Sequence, residues 1–155
     1  MEKEQAISIL HFYRDIDKDI NLFRHQINDI EEQYYCSVGA VQFSGNPKGN
    51  AISSPTENYA LNIPEHIHDE RIRLERKIKK MQDLKIAIES EIDKLPYKQK
   101  KVVIAKDIRR MKWVQISAQC YYCERQCKYI RAKALKKLCV YFSENPTIAN
   151  YVFPN

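Results

Sequence analysis

Apolar residues recur along the first part of the chain at alternating steps of four and three. Charged and amide residues fill most positions between them, and neither glycine nor proline interrupts the run from residue 3 to residue 35. Such a repeat, sustained over about four heptads, is typical of a helix with one narrow apolar seam. The pattern therefore predicts one long amphipathic helix over residues 1–35. Its seam consists of Ile9, Tyr13, Ile16, Ile20, Phe23, Ile27, Ile30 and Tyr34.

The character of the chain changes over residues 36–64. All three glycines and three of the six prolines fall here. Glycine and proline at this density favour a loop, and a loop of this length is often partly disordered or functional. We expect a loop or linker, with one short helical turn where Ser54 caps and Pro55 takes the first helical position.

A second long helix is predicted over residues 65–93, although Arg71 and Lys85 occupy two of its expected seam positions. Two such helices joined by a loop form an antiparallel hairpin, coiled-coil-like in its packing, when each buries its seam against the other. Pairing between two chains, which gives a homodimer, satisfies the same periodicity. The pattern does not separate these two arrangements.

Leu95 and Pro96 then end the long helix, because proline disfavours helical geometry in the residue before it. We expect a compact helical domain over residues 94–142: a helix from Tyr97 to Arg109, one starting near Trp113, and one from Cys123 to Phe142. Residues 143–155 form a tail that folds back on the body or frays. The predicted fold class is all-α, a long N-terminal helical hairpin plus a C-terminal helix-turn-helix domain.

The helix-turn-helix prediction depends on apolar residues at fixed offsets, since two short helices that cross steeply share a small core. Counted from Trp113, the four buried positions fall on Ile116, Cys120, Cys127 and Ile130. Ser117 is small where the helices approach, and Tyr121 stands where the turn favours a residue tolerant of positive φ. An ordinary helical hairpin in a small bundle is the alternative interpretation of the same spacing.

Charge is distributed very unevenly along the chain. The net charge is +6, yet residues 1–93 carry 12 basic and 17 acidic residues, whereas residues 94–142 carry 14 basic residues and only Asp107 and Glu124 as acids. Like charges at this density repel one another unless an anion screens them. Nucleic acid is the commonest such polyanion. A lysine-rich surface that only keeps the protein soluble is the alternative.

The segment from Leu95-Pro96-Tyr97 through Trp113-Val114-Gln115-Ile116-Ser117 to Ala134-Leu135-Lys136-Lys137-Leu138 resembles region four of bacterial sigma factors. It is closer to the short phage-encoded regulators of the RinA and ArpU type, which place a tryptophan just before the first motif helix. The phrase from Ser54 to Ala60 also resembles their linker. The resemblance covers residues 94–140 well, residues 53–93 fairly and residues 1–35 not at all. It implies a transcriptional regulator of phage or prophage origin, an activator of late genes.

On this interpretation the second motif helix enters the major groove of double-stranded DNA. The residues expected to contact bases are Glu124, Arg125, Lys128 and Tyr129. Those expected to contact phosphates are Lys98, Lys100, Lys101, Lys112, Arg131, Lys133 and Lys136. The expected motif core is Trp113, Ile116, Cys120, Cys127, Ile130 and Leu135.

The cysteines Cys120, Cys123 and Cys127 have a spacing that zinc or an iron–sulfur cluster can use, but a closed zinc site needs a fourth ligand. Packing as small apolar residues is the favoured role. We expect no metal, no cofactor and no catalytic site. An odd number of cysteines, five, and no signal-peptide pattern favour reduced thiols in the cytoplasm of a bacterial host.

Sequence-specific DNA binding for transcription regulation is therefore the leading hypothesis, with double-stranded DNA as partner and no membrane. Two alternatives stay open. One is a DNA-packaging protein like a small terminase subunit, which also joins a helix-turn-helix to helical assembly elements. The other is an interaction module that binds bacterial RNA polymerase through the long helices.

Overall fold

The computed structural model describes residues 1–39 and 64–153, and every element in these two ranges is helical. The all-α prediction is confirmed for this part of the chain. Residues 40–63, with the helical turn predicted at Ser54, lie outside the described residues. The elements are α1 (Lys3–Gly39), α2 (Glu65–Asp93), α3 (Tyr97–Val103), a π-helical segment (Ile104–Ile108), α4 (Trp113–Cys120), α5 (Glu124–Glu144) and α6 (Pro146–Ala149).

The bounds of three helices differ from the predicted ones. α1 continues past residue 35 and ends at Gly39, the first glycine of the chain and a residue type that commonly terminates helices. α5 begins at Glu124, because Cys123 is its extended N-cap, and it continues two residues beyond Phe142. The predicted helix from Tyr97 to Arg109 is α-helical only as far as Val103.

After Val103 the backbone widens into the π-helical segment. The N–H of Arg109 donates to the carbonyl of Ile104, five residues earlier, at 2.9 Å. A hydropathy pattern records which positions are buried but not which carbonyl each N–H bonds, so it does not distinguish π from α geometry. Single π turns inside helices are frequent at functional sites. Here the segment buries Ala105 and Asp107.

The chain divides into two compact units, and one of them is Ile20–Lys79. Within it, Glu31 Oε1 lies 3.1 Å from Arg71 Nη1, and the Phe23 ring lies under Lys77 Nζ at 5.3 Å from the ring centroid. The later residue of α1 thus contacts the earlier residue of α2, so the two segments run antiparallel. Its buried apolar residues include Ile20, Tyr34 and Leu74.

The other unit joins Met1–Asp19 to Lys80–Asn155. The hydroxyl of Tyr13 donates to Glu89 Oε1 at 2.8 Å, and Lys85 Nζ donates to both carboxylate oxygens of Asp17 at 2.7 and 2.8 Å. These contacts again pair α1 and α2 of one chain in antiparallel order. Arg71 and Lys85, the two basic residues that interrupt the predicted seam, thus each pair with an acid of α1.

The core of this second unit collects side chains from every helix that enters it. α5 contributes its buried face, Cys127, Ala134, Leu135, Leu138 and Phe142. The other fully buried large side chains include Leu10, Ile16, Leu84, Ile88, Val102, Val103, Ile116 and Ile148. A fully buried apolar side chain contributes about 1.5 to 3 kcal/mol by leaving water. The basic segment and the start of α1 thus belong to one compact unit, and both contribute buried apolar side chains to it.

The C-terminal tail packs against the start of α1. Ile148 of α6 is buried, and the rings of Tyr151 and Phe153 lie 5.8 and 5.4 Å from that of Phe12. Asn145 caps α6 by accepting from the Thr147 N–H at 3.0 Å, and its side-chain amide donates to Glu91 Oε1 at 2.8 Å. The tail is thus anchored by an aromatic cluster and a polar cap.

Replacing Leu84 by alanine tests this core. Leu84 is 0 % exposed, so the truncation leaves a cavity, and we expect a loss of about 2 to 5 kcal/mol in the free energy of unfolding. Ile86, on the same helix but 64 % exposed, is the matched control, and Ile86→Ala should change stability by less than about 0.5 kcal/mol. Urea titrations followed by circular dichroism measure both. Equal losses in the two variants would contradict this assignment of the buried face.

Candidate functional site

The candidate site is the pair of helices α4 and α5 with the three residues that join them. Tyr121 ends α4 in a left-handed conformation, φ 58° and ψ 35°, and its N–H donates to the Ser117 carbonyl. The N–H of Tyr122 reaches the same carbonyl at 3.3 Å. Left-handed geometry favours glycine, because a side chain's β-carbon crowds the following carbonyl. The turn thus takes the positive φ expected at this position, on a tyrosine.

A small apolar cluster holds α4 and α5 against the preceding helix. Its buried members are Val102, Ala105, Ile116 and Cys127, and half-buried side chains surround them: Met111, Trp113, Cys120, Tyr122 and Ile130. The structure therefore places all four predicted offset positions in one cluster, two of them buried and two half-buried. Of the other expected core residues, Leu135 is fully buried and Trp113 is half-buried.

Two cations lie near the ring of Trp113, the first residue of α4. Lys106 Nζ is 5.0 Å from the ring centroid and Lys128 Nζ is 5.7 Å from it. Cations over an indole face are held by its quadrupole, at roughly 0.5 to 1 kcal/mol when exposed. Lys106 also donates to the Met111 carbonyl at 3.3 Å. These contacts fix the start of α4 beside the first turns of α5.

A buried ion pair connects the π-helical segment to α5. Asp107 is 1 % exposed, and the side chain of Arg131 is 19 % exposed. Arg131 Nε donates to Asp107 Oδ2 at 2.9 Å, and Nη2 reaches Oδ1 at 2.5 Å. A forked arginine–carboxylate contact of this kind is both charge-assisted and directional. It sets the rotation of α5 about its own axis.

Arg131, which was predicted to contact phosphate, pairs its guanidinium with this buried carboxylate. Sequence reasoning missed this pair, although one signal was present. Asp107 is one of only two acids among residues 94–142 and lies between the apolar residues Ala105 and Ile108. A lone acid on the apolar side of a helix needs a buried partner.

The opposite side of α5 is exposed and basic. Arg125, Lys128, Tyr129, Lys133 and Lys136 are all exposed. Their spacing of three and four residues places them along one face of the helix. Lys128 Nζ lies 3.9 Å from half-buried Glu124, and Lys133 Nζ lies 4.6 Å from the Tyr129 ring centroid. Among the residues the structure describes, Arg125 has no ion pair or hydrogen bond through its side chain.

The remaining predicted phosphate contacts fall into two groups. Lys98 and Lys112 are exposed, and a hydrogen bond to Tyr122 raises the pKa of Lys98. Lys100 and Lys101 are half-buried and engaged: Lys100 Nζ lies 2.5 Å from Asp93, and Lys101 Nζ donates to the Gln119 carbonyl at 2.9 Å. Lys101 thereby ties α3 to the end of α4.

The cysteines near the turn differ in burial. Cys120 is half-buried, Cys123 is exposed and Cys127 is buried, and each is a free thiol. Burial raises the pKa of the Cys127 thiol, and the neighbouring Cys120 and Cys123 raise it further. Within residues 1–39 and 64–153, no cluster of three or more side chains is arranged to hold a metal ion.

Comparisons with known proteins add no relative: no protein-family model, curated protein or solved structure matches the chain. None of the helices in the described ranges has the length and apolar character needed to cross a bilayer. The geometry of the chain itself must therefore support any functional proposal.

Removing one partner of the Asp107–Arg131 pair should destabilise the protein strongly. Arg131→Ala leaves a carboxylate buried without a counter-charge, and we expect a loss of about 3 to 5 kcal/mol in the free energy of unfolding. Arg125→Ala, an exposed arginine six residues earlier on the same helix, should change it by less than about 0.5 kcal/mol. Denaturant titrations at neutral pH measure both. Similar values for the two variants would overturn the buried pair.

Thiol alkylation tests the burial of the cysteines. A thiol with a raised pKa stays protonated at mildly alkaline pH, and only the thiolate reacts with iodoacetamide. In the native protein Cys123 should therefore react well before Cys127, and denaturant should remove the difference. Mass spectrometry of peptides from timed samples measures each rate. Rapid native labelling of Cys127 would contradict its buried position.

Proposed function

We propose that this chain is a sequence-specific DNA-binding transcriptional regulator, and that α4 and α5 act as a helix-turn-helix. The observation that carries the proposal is the left-handed turn at Tyr121. It joins two helices over one shared core while leaving a basic face of the second helix exposed. In helix-turn-helix proteins the second helix lies in the major groove and the first crosses the backbone.

The first half of α5 is the reading element in this proposal. Arg125 is exposed and unpaired among the described residues, so its guanidinium is available for the bidentate contact that arginine makes with guanine O6 and N7. Lys128 follows one turn later, and Glu124 can accept from a cytosine amine. Tyr129 is exposed, with Lys133 Nζ over its ring, and provides an apolar or phosphate contact.

Phosphate contacts come from the basic residues around this element. Lys112 precedes α4, while Lys133 and Lys136 continue the exposed face of α5. Lys98 is exposed beside Tyr122 and joins this set. Such contacts position the protein on the duplex without reading sequence. Arg131 is left out, because its charge is neutralised by Asp107.

The resemblance to phage regulators supports the more specific part of the proposal, a late-gene activator of phage or prophage origin. In that role α1 and α2, which lie in the net-acidic part of the chain, form the partner-facing arm. Bacterial RNA polymerase and a second copy of the chain are the two partners that this arm suits. The acidic arm also disfavours non-specific binding to DNA through α1 and α2, because its net negative charge repels the phosphates.

Two substitutions in the basic face test the proposed mechanism with a duplex selected from a random pool by the purified protein. Arg125→Ala should cost about 1 to 3 kcal/mol in binding and relax the preference at one base pair. Lys133→Ala should weaken all sequences alike and reduce the slope of log K against log salt by about one. Fluorescence anisotropy titrations at several salt concentrations measure both effects.

Lys80→Ala is the matched control, since Lys80 is an exposed lysine of α2 outside the basic segment, and its binding should equal that of the parent. Equal binding of Arg125→Ala, Lys133→Ala and the parent would refute the assigned interface.

Light scattering separates a transcriptional regulator from a DNA-packaging protein: a monomer or dimer agrees with a regulator, whereas a ring of about eight or more chains indicates packaging.

A further inference from the structure

Two residues other than glycine have a positive φ in the described part of the chain, Arg110 at 54° and Tyr121 at 58°. They stand on either side of α4: Arg110 lies three residues before its start, and Tyr121 directly follows its end. In this conformation a β-carbon crowds the backbone, and glycine is the residue that removes the clash. Arginine and tyrosine are therefore costly choices at these two positions.

No contact with another described residue compensates for that cost. Tyr121 is 93 % exposed and Arg110 is exposed. Neither side chain makes a hydrogen bond, ion pair or ring contact with any residue of the described ranges. The neighbouring Tyr122 is different: it is half-buried in the apolar cluster, with Lys98 Nζ 5.6 Å from its ring centroid. The turn itself needs only the backbone N–H of Tyr121, which glycine also has.

We infer that Arg110 and Tyr121 are contacts to the DNA backbone at the two ends of α4, an inference that rests on the proposed function. The Arg110 guanidinium pairs with one phosphate, and the Tyr121 hydroxyl donates to an oxygen of another. Both groups are common phosphate donors in protein–DNA complexes. The contacts of these side chains stabilise the complex with DNA, whereas glycine at the same positions would stabilise the free protein.

The dimensions of α4 suit this role. A helix of eight residues is about 12 Å long, which is about the width of the major groove. The first helix of a helix-turn-helix crosses the backbone there, so side chains at its two ends can reach phosphates on either side. Tyr121 also lies only two residues before Cys123, the N-cap of α5, and four before Arg125. Its backbone is therefore close in the chain to the proposed reading element.

The test uses glycine, which should weaken binding without weakening the fold. Arg110→Gly and Tyr121→Gly remove the side chain and relieve the backbone, so their Tm should be equal to or above that of the parent. Tyr121→Phe keeps the ring and removes only the hydroxyl. Because the contacts are to the backbone, the probe is a fluorescein-labelled duplex of arbitrary sequence and about 30 base pairs, titrated by anisotropy between about 50 and 200 mM salt.

Tyr121→Gly and Tyr121→Phe should each raise Kd about tenfold, the effect of losing one hydrogen bond to a charged acceptor. Arg110→Gly should also lower the salt slope by about 0.9, whereas neither Tyr121 variant should change it. Parent-like binding by both glycine variants, while Arg125→Ala still relaxes sequence preference, would overturn this inference alone. A parent protein that binds no duplex would overturn the proposed function as well.

Parent-like binding by Tyr121→Phe with weakened binding by Tyr121→Gly would overturn the hydroxyl contact. A Tm well below that of the parent in the glycine variants would also count against the inference, because it would mean that the side chains stabilise the free protein. A protein ligand that binds the parent and loses affinity for both glycine variants, with duplex binding unchanged, would reassign these residues to a protein interface.

Discussion

The basic part of this protein depends on one buried charge. The carboxylate of Asp107 is almost completely removed from water, and an unpaired carboxylate there would be strongly unfavourable. Arg131, twenty-four residues later in the chain, meets it with a forked contact. Because the forked guanidinium–carboxylate contact is directional, it restricts how the π-helical segment and the middle of α5 are oriented to each other. The exposed face of α5 follows from that orientation.

A second constraint acts at the turn between α4 and α5. The Ser117 carbonyl accepts from two successive N–H groups, those of Tyr121 and Tyr122, and this closes α4 within three residues of the start of α5. In this short connection Tyr121 takes the left-handed conformation. Lys101 strengthens the same corner by donating to the Gln119 carbonyl. The ion pair and the turn thus fix α5 from its middle and from its N-terminal end.

Much of this architecture can be read from the pattern of apolar residues. The long seams predict α1 and α2, and the offsets from Trp113 predict the cluster around Ile116 and Cys127. Both predictions work because the buried positions of a helix recur at a fixed period in the sequence. A hairpin of the two long helices was predicted, but the seam alone did not exclude pairing between two chains, because the same apolar positions serve a partner helix in either case. The π-helical segment was missed, because it changes hydrogen-bond partners without changing which residues are apolar. The DNA-binding role stays a prediction.

The sequence by itself determined the all-helical class, the break at Leu95-Pro96 and the separation of acidic from basic segments, since each depends on residue type and local spacing. Tertiary structure decided how individual charges are used. Arg131 and Arg125 are both arginines of α5, yet one neutralises a buried acid and the other faces solvent. Tyr121 and Tyr122 are adjacent, yet only one is exposed at a positive φ. Those distinctions depend on residues distant in the chain, so local pattern cannot contain them.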